Sequence, residues 1–326
     1  MLKKINQIGE FGLIERIRKK LNVGANQRFA RIQDQVIRGI GDDAAVLPYT
    51  KNKYLLLTTD MMAEDVHFMV RPFDKLRAMQ AHHKARPATP QEIGHKALAC
   101  NMSDIAAMGG VPTYAVVAIG LPKNLSVKYV EDMYEGMQKL AKTFGVSIVG
   151  GDTIKSNQIV INVALLGQVE KKYLVTRSGA KAGDWIFVTG ALGGSLQSGK
   201  HLHFIPRLAA ARFLVRRFKP SAMIDISDGL AGDLNHILKA SRVGALLWEK
   251  MIPRSKVGAS RQGGTVPLQE ALTNGEDYEL LFTLSVFKAR QLLNWQQKGK
   301  QWFFYPIGRI TNDRKQLIPT KSFTHF

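Results

Sequence analysis

The sequence predicts an α+β protein of two domains, each a mixed sheet covered by helices. Two observations support this prediction. The 326 residues are enough for two domains of ordinary size. Short runs rich in Val, Ile, Leu and aromatic residues also alternate with segments whose apolar residues recur every three or four positions, and such mixing of strand and helix patterns is typical of α+β or α/β proteins.

The predicted strands are short apolar runs bounded by Gly, Pro, Asp or Asn, which is the usual signature of buried strands. They are Tyr54–Asp60, Tyr114–Leu121, Val146–Val149, Ile159–Val169, Trp185–Thr189, Ala222–Ile226, Ala245–Trp248 and Leu280–Leu284.

Three helices are predicted between these strands. The clearest is Ser126–Gly145, whose apolar residues fall on one helix face, with Ser126 as N-cap and Gly145 as C-cap. The others are Gly229–Ser241 and roughly Pro90–Met108. A charged, Gly-containing segment at Glu170–Gly183 separates two strand runs. We therefore expect an N-terminal domain at residues 1–169 and a C-terminal domain at residues 170–326.

The composition indicates a globular protein in the cytoplasm. Hydrophobic residues make up 45% and charged residues 22%. No apolar run approaches the ~20 residues of a membrane-spanning helix, and the first 18 residues contain charges that break any signal-peptide core. We expect no membrane partner. The one cysteine, Cys100, excludes an internal disulfide and is interpreted as an inert buried thiol.

The net charge of +20 leaves a nucleic-acid-binding protein as an alternative of a different class. The basic residues are dispersed, however, and the densest group, Arg71–Arg86, has a single Phe and not the series of interleaved aromatic residues used in base stacking. We therefore do not expect nucleic acid to be the main partner. The surrounding segment Met69–Gln91, which contains three prolines, is predicted to be a long surface loop.

Many acidic residues share one sequence context: they stand directly after an apolar run and beside Gly, Ser or Thr. Converging carboxylates suit Mg²⁺, which prefers oxygen ligands and is typically held by a few carboxylates together with substrate phosphates. The residues in question are Asp42, Asp43, Asp60, Asp104, Asp152, Asp225, Asp228, Glu276 and Asp277.

A local explanation exists for each acid taken singly, because Asp often closes a turn or caps a helix. Asp104 could cap a short helix, and Asp228 could cap the helix that begins at Gly229. Local capping gives no reason, however, for the same context to recur along the chain. The recurrence favours a shared site for a divalent cation.

Other catalytic signatures are incomplete or missing in the sequence. Gly194–Lys200 matches the first seven positions of a P-loop, but His201 stands where Ser or Thr would bind Mg²⁺, so we interpret the segment as a Gly-rich turn. There is no Cys-x-x-Cys zinc motif, no Gly-x-Ser-x-Gly elbow and no His-Glu-x-x-His.

Taken in order, eight short motifs resemble those of the thiamine-monophosphate kinase family, within the superfamily of aminoimidazole-ribonucleotide synthetase and selenophosphate synthetase. The resemblance runs from Gly9 to Phe326. The motifs are Gly41–Ala45, Thr58–Asp60, His67–Phe68, Lys96–Asp104, Gly150–Thr153, Thr176–Lys181, Asp225–Gly229 and Gly275–Glu279.

The resemblance implies direct in-line transfer of the ATP γ-phosphoryl group to thiamine monophosphate, without a phosphoenzyme and without a general base. It implies a homodimer in which the N-terminal domains form a shared barrel. It assigns Mg²⁺ to Asp43, Thr58, Thr59, Asp60, Asp104, Asp152, Asp225 and Asp228. It assigns ATP to Tyr134, Gly151, Asp152, Arg177 and Ser227, and thiamine monophosphate to His67, Glu276 and Phe323.

The implied roles agree with the chemical requirements of phosphoryl transfer. Two anionic phosphates must approach each other, so metal ions, with their ligands Asp60 and Asp104, and Arg177 would offset the repulsion. The thiazolium of the acceptor would suit the aromatic face of Phe323. Each of three residues also has a purely structural interpretation. Tyr134 fits a core position on its helix, His67 fits an ordinary turn, and Phe323 fits a frayed chain end.

The alternative within the superfamily is another ATP-dependent synthetase. A selenophosphate synthetase would need a reactive Cys near the N-terminus, and none precedes Cys100. The His67–Phe68 and Gly275–Glu279 motifs disfavour an aminoimidazole-ribonucleotide synthetase. The length of Met69–Gln91 is a departure from the family pattern.

Overall fold

The computed structural model describes residues 12–17, 36–70, 86–256, 264–299 and 302–313. Ten strands form two five-stranded sheets. The strands are β1 (Ala45–Pro48), β2 (Lys53–Ala63), β3 (Val111–Leu121), β4 (Ser147–Lys155), β5 (Val160–Glu170), β6 (Trp185–Val188), β7 (Ala222–Asp225), β8 (Gly244–Leu247), β9 (Leu280–Leu284) and β10 (Tyr305–Thr311).

The described residues also form eight α-helices, with a further helical turn at residues 12–17. The helices are α1 (Pro90–Ala107), α2 (Val127–Phe144), α3 (Ser195–Ser198), α4 (Lys200–His203), α5 (Leu208–Arg217), α6 (Leu230–Ser241), α7 (Leu268–Thr273) and α8 (Val286–Gln296). In the part of the chain that the structure describes, none of the helices combines the length and the apolar character needed to cross a membrane.

The first sheet has the order β1-β2-β5-β3-β4. Its β3–β4 pair is parallel and the other pairs are antiparallel, since α2 provides the long connection that parallel neighbours need. One face, with Leu56, Val117 and Val163, is buried in the core. The other face is apolar yet exposed in the single chain, as Met61 and Tyr114 illustrate at 62% and 53% exposure.

Helices α1 and α2 begin and end at residues that explain their bounds. Thr89 and Glu92 form a capping box at the start of α1, where Pro90 occupies the first turn. Ser126 accepts a hydrogen bond from the Tyr129 backbone N–H, and Gly145 ends α2 with a φ of 70°. Both caps predicted for α2 are confirmed.

The second sheet has the order β7-β9-β6-β10-β8, with every neighbouring pair antiparallel. Helices α6 and α7 pack on one face through residues such as Leu234 and Ala271. Helices α5 and α8 pack on the other face through residues such as Leu214 and Leu292. The two-sheet, helix-covered architecture confirms the predicted α+β class, whereas the division at residues 169 and 170 stays a prediction.

The larger core cluster is continuous from the first sheet to one face of the second. Helix α1 is central to it, because it contacts β2 and β5 on one side and α4, α5 and β7 on the other. A helix buried on all sides cannot show a clear amphipathic stripe, and 13 of the 18 residues of α1 are buried. These include the polar residues Lys96, Asn101 and Ser103.

Two strands and several helices are absent from the expectations drawn from the sequence. Strand β1 has only four residues, and β10 begins with the sequence Tyr-Pro-Ile-Gly, whose Pro and Gly disfavour a strand. The segment Gly194–Lys200, interpreted as a Gly-rich turn, contains the short helix α3, and its last residue begins α4; Gly199, with a φ of 72°, separates the two helices. Most of the predicted loop Met69–Gln91 lies outside the described residues, and its last two residues, Pro90 and Gln91, belong to α1.

Candidate active site

Three carboxylates from distant parts of the chain converge where the two halves meet. Asp43 precedes β1, Asp104 lies in the last turns of α1, and Asp225 ends β7. Each offers an oxygen atom within 4.8 Å of the others. Asp104 lies inside the 18-residue helix α1, so the alternative that it caps a short helix is wrong.

Hydrogen bonds hold the three carboxylates in place. The Thr58 hydroxyl donates to Asp104, and Arg177 donates to Oδ1 of Asp43 through Nη2 at 2.8 Å. Asp225 accepts from the Ser103 hydroxyl at 2.6 Å. The second oxygen of Asp43, Oδ2, is buried and has no hydrogen-bond partner among the residues that the structure describes.

Burial and mutual repulsion raise the pKa values of these groups. Burial, followed by the charge of Asp43, raises the pKa of Asp225 to about 7. Burial raises the pKa of Asp104 well above its usual range, and the charges of Asp60 and Asp225 add to this. Carboxylates that are costly to ionise together are stabilised by a cation. The donor set and the unpartnered Oδ2 of Asp43 therefore fit a hard divalent cation such as Mg²⁺.

Asp60 belongs to the same neighbourhood. It lies two residues after Thr58 on β2, so both side chains point to the buried face of the sheet. Its charge raises the pKa of Asp104 and of Asp225, which places it close to both. Arg177 supplies the positive charge beside this group, and its backbone N–H donates to Asp42 at 2.9 Å.

A second group of potential ligands lies at the start of α6. Asp228, Asp233 and His236 offer atoms that lie within 4.8 Å of one another. The N-cap of α6 is Gly229 rather than Asp228, and the Asp228 backbone N–H donates to Asp233 at 3.1 Å. Burial, followed by the charge of Asp228, raises the pKa of Asp233 well above its usual range. Asp233 and His236 are not among the predicted site residues, although their i, i+3 spacing in a predicted helix is a signal for a shared site.

Two predicted metal ligands, Asp152 and Thr59, lie apart from this cluster in the single chain. Asp152 on β4 is aligned with Ala118 on β3, which faces the exposed side of the sheet, whereas Thr58 faces the buried side. Thr59 likewise faces the exposed side, and its hydroxyl donates to Asn162 at 3.1 Å. The structure of one chain therefore does not bring Asp152 and Thr59 to the three converging carboxylates.

The residues expected to contact nucleotide lie in different settings. Tyr134 on α2 is half-buried against the core. Gly151 lies on the exposed strand β4, where a Cβ atom would approach the Val117 carbonyl oxygen to 1.8 Å, so no larger residue fits. Ser227 is half-buried in the loop after β7, and its carbonyl accepts from the Glu276 N–H at 2.7 Å.

Glu276, expected to contact the acceptor, is 5% exposed and has a positive φ of 66°. Its carboxylate contacts the ammonium group of Lys96 and the Nδ1 of His201. Although burial opposes ionisation, the charge of Lys96 holds the pKa of Glu276 well below its usual range. His67 lies nearby, since its carbonyl oxygen accepts from Lys96 at 2.7 Å. Phe323 lies outside the described residues.

Lys96 and His201 are not among the predicted site residues, yet both contact Glu276. Lys96 begins one of the family motifs, but a lysine in a helix is ordinarily a solvent-exposed residue. In the sequence, His201 stands out only because it breaks the P-loop pattern. The burial of both residues follows from the packing of α1 against α4.

Comparisons with known proteins identify the family. Residues 41–169 match the family model of AIR synthase related protein, N-terminal domain. The thiamine-monophosphate kinase of Aquifex aeolicus is 35% identical over 301 residues, covering 86% of this chain and 87% of that protein. The thiamine-monophosphate kinase of Bacillus subtilis is 35% identical over 270 residues, covering 76% and 77% of the two chains.

Solved structures agree with these relatives. The structure of AaThiL complexed with AMPPCP and TMP superposes with a TM-score of 0.79 at 30% identity, and the match covers 100% of both chains. A hydrogenase maturation protein HypE in complex with ATP, at 20% identity and a TM-score of 0.60, shares the fold. From its sequence identity to the curated relatives over most of its length, the chain is a member of the thiamine-monophosphate kinase family.

Proposed function

We propose that this protein transfers the γ-phosphoryl group of ATP to thiamine monophosphate, giving thiamine diphosphate and ADP. The observation that carries the proposal is the convergence of Asp43, Asp104 and Asp225 beside Arg177. Phosphoryl transfer depends on positioning and charge neutralisation more than on covalent help, and this arrangement offers both. The AMPPCP and TMP held by the related structure support the same pair of substrates.

The carboxylates would hold Mg²⁺, with Asp43, Asp60, Asp104 and Asp225 as one set of ligands and Asp228 as part of a second. When bound, Mg²⁺ would neutralise phosphate charge and polarise the transferred group. Thr58 keeps the Asp104 carboxylate oriented by its hydrogen bond, and Arg177 adds a fixed positive charge at Asp43. No general base is needed, because the accepting phosphate is already ionised at neutral pH.

The nucleotide would contact Tyr134, Gly151, Asp152, Arg177 and Ser227, and the acceptor would contact His67, Glu276 and Phe323. Support for the acceptor residues comes from Lys96, which contacts both the His67 carbonyl and the Glu276 carboxylate and so brings two separate motifs together. An ionised Glu276 suits a ligand that carries a thiazolium charge and an aromatic amine.

We also propose that the protein is a homodimer in which the first sheets of two copies face each other as a shared barrel. The exposed side of that sheet supports this, because it displays large apolar residues that a monomer rarely leaves in water. They include Leu57, Met61, Tyr114, Val116 and Val149. Thr59 and Asp152 face the same side, so dimerisation would bring them to the contact between the copies.

The test is an assay of purified protein with ATP and thiamine monophosphate, in which thiamine diphosphate and ADP are measured by chromatography. We expect equal amounts of both products with Mg²⁺ and none with excess EDTA. Unphosphorylated thiamine, and phosphorylated amines other than thiamine monophosphate, serve as alternative acceptors. The formation of ADP without thiamine diphosphate, or the lack of any turnover of this pair, would refute the proposed reaction.

A further inference from the structure

Lys96 is an unusual residue, because its side chain is fully buried. Lysine is almost never buried completely unless its charge is paired. Its ammonium group lies 2.7 Å from the His67 carbonyl oxygen and 3.0 Å from Nδ1 of His201, and it contacts Oε2 of Glu276. The three contacts match the three donors of an ammonium group.

His201 closes this group into a triangle. Its Nδ1 lies 2.9 Å from Oε2 of Glu276 as well as 3.0 Å from the Lys96 ammonium. In one tautomer Nδ1 accepts from Lys96, and in the other it donates to Glu276. Both neighbours therefore contact the same carboxylate oxygen, Oε2 of Glu276.

The backbone of Glu276 is held just as firmly. Its N–H donates to the Ser227 carbonyl at 2.7 Å, and its carbonyl accepts from the Ser195 hydroxyl at 2.7 Å. A φ of 66° is uncommon for a residue other than glycine and persists only when the surroundings enforce it. The orientation of Glu276 is therefore set by neighbours from three segments of the chain.

These contacts join elements that are far apart in sequence. The His67 turn follows β2 of the first sheet, Lys96 lies in α1, and Glu276 precedes β9 of the second sheet. The capping box at Thr89 fixes the start of α1, and so the position from which Lys96 extends. Lys96 thus connects the His67–Phe68 motif with the Gly275–Glu279 motif. The family resemblance assigns binding of the acceptor to these two motifs.

We infer that Lys96 is a positioning residue for the acceptor substrate, with His201 as its partner. Lys96 keeps Glu276 ionised and ties it to the His67 turn, so that the two residues are held together to bind a cationic, amine-bearing ligand. The inference rests on the proposed function, since it concerns how the same site holds thiamine monophosphate.

The first test compares Lys96→Met with the wild-type protein in steady-state kinetics. We expect the KM for thiamine monophosphate to rise by about tenfold or more, as for the loss of one charge-assisted contact, while the KM for ATP changes less than about twofold. Arg212→Met is the matched control. Arg212 also links a backbone carbonyl, that of Gly109, to a carboxylate, that of Glu170. We expect the Arg212→Met variant to have unchanged KM values for thiamine monophosphate and for ATP.

A double-mutant cycle separates positioning from a general structural effect. Glu276→Gln should raise the KM for thiamine monophosphate, and Lys96→Met/Glu276→Gln should be no worse than Glu276→Gln alone. Effects that multiply in the double variant would show that Lys96 acts independently of Glu276, and the inference would be wrong. If Lys96→Met fails to fold, the double variant, which removes both buried charges, still provides this comparison with Glu276→Gln.

The two proposals fail in different ways. An active wild-type protein whose Lys96→Met variant keeps a normal KM for thiamine monophosphate overturns the positioning role alone. A wild-type protein that does not phosphorylate thiamine monophosphate overturns both the reaction and the role. His201→Gln should raise the same KM by a smaller factor than Lys96→Met, because Lys96 still neutralises Glu276 in that variant.

Discussion

The Ser103 hydroxyl donates a hydrogen bond of 2.6 Å to the Asp225 carboxylate, and this bond joins α1 of the first half to β7 of the second. Both residues are buried. A buried carboxylate that accepts a hydrogen bond from another part of the chain is fixed in direction by it. The carboxylate cluster therefore forms only when both halves are folded and packed together.

The carboxylates of Asp60 and Asp104 should be essential for turnover. We expect Asp60→Asn and Asp104→Asn each to lower kcat by a factor on the order of 10³, because each loses a charged oxygen ligand while keeping the side-chain shape. The circular dichroism spectrum should stay unchanged. Glu131→Gln, at an exposed position on α2, is the control that should remain active. Near-normal activity of either Asn variant would contradict the metal assignment.

Binding of Mg²⁺ should stabilise the protein, and more so at high pH. The pKa of Asp225 is raised to about 7, so below this pH a proton occupies a group that must be ionised to bind the cation. We expect the rise in Tm caused by 5 mM MgCl₂, on the order of a few degrees, to grow between pH 6 and pH 8. Scanning calorimetry measures this change. A Tm that is insensitive to Mg²⁺ at pH 8 would argue against a cation site.

Asp277 should make the protein less stable as the pH rises. It is fully buried, and burial raises its pKa to about 7, against about 3.9 in an unfolded chain. Between these values the folded state binds a proton that the unfolded state has released, so the free energy of unfolding falls with increasing pH. The whole loss in the free energy of unfolding is present above pH 7. None of it is present below the pKa that Asp277 has in the unfolded chain.

Asp277→Asn removes this titration and keeps an oxygen that can accept from the Gly193 N–H, now at 2.8 Å from Oδ2. We expect the variant to gain about 1 to 3 kcal/mol over the wild type at pH 8 and to match it within about 0.5 kcal/mol at pH 4. Urea unfolding at both pH values provides the comparison. An equal difference at pH 4 and pH 8 would contradict the assignment to Asp277.

The exposed face of the first sheet should govern self-association. We expect Met61→Glu to convert a dimer into a monomer, because a charge would be placed in an apolar contact. Phe287→Glu is the matched control, since Phe287 on α8 is 66% exposed and Met61 is 62% exposed. Size-exclusion chromatography with light scattering gives the masses. A wild-type protein that is monomeric at every concentration tested would refute the dimer.

Many helices and strands can be predicted from the sequence, because their capping residues and apolar periodicity lie within the element itself. Helix α2 has an apolar stripe, a Ser cap and a Gly cap, and the structure places all three as expected. Strands β2, β3 and β5 are predicted because each contains a run of apolar residues, such as Tyr54–Leu57, Tyr114–Ile119 and Val163–Leu166. Strand β10 is not predicted, because its Pro and Gly disfavour a strand locally, and its pairing with β6 and β8 depends on segments distant in sequence.

The α+β class, the family motifs and the acids expected to bind Mg²⁺ can be read from the sequence alone, because periodicity and motif spacing are properties of short stretches of chain. Which of these acids meet depends on the packing of distant segments. Asp43, Asp104 and Asp225 converge through the packing of α1 between the sheets, while strand alignment turns Asp152 to the opposite face. The pairing of Lys96 with Glu276 likewise depends on contacts between residues 180 positions apart, which no local pattern records.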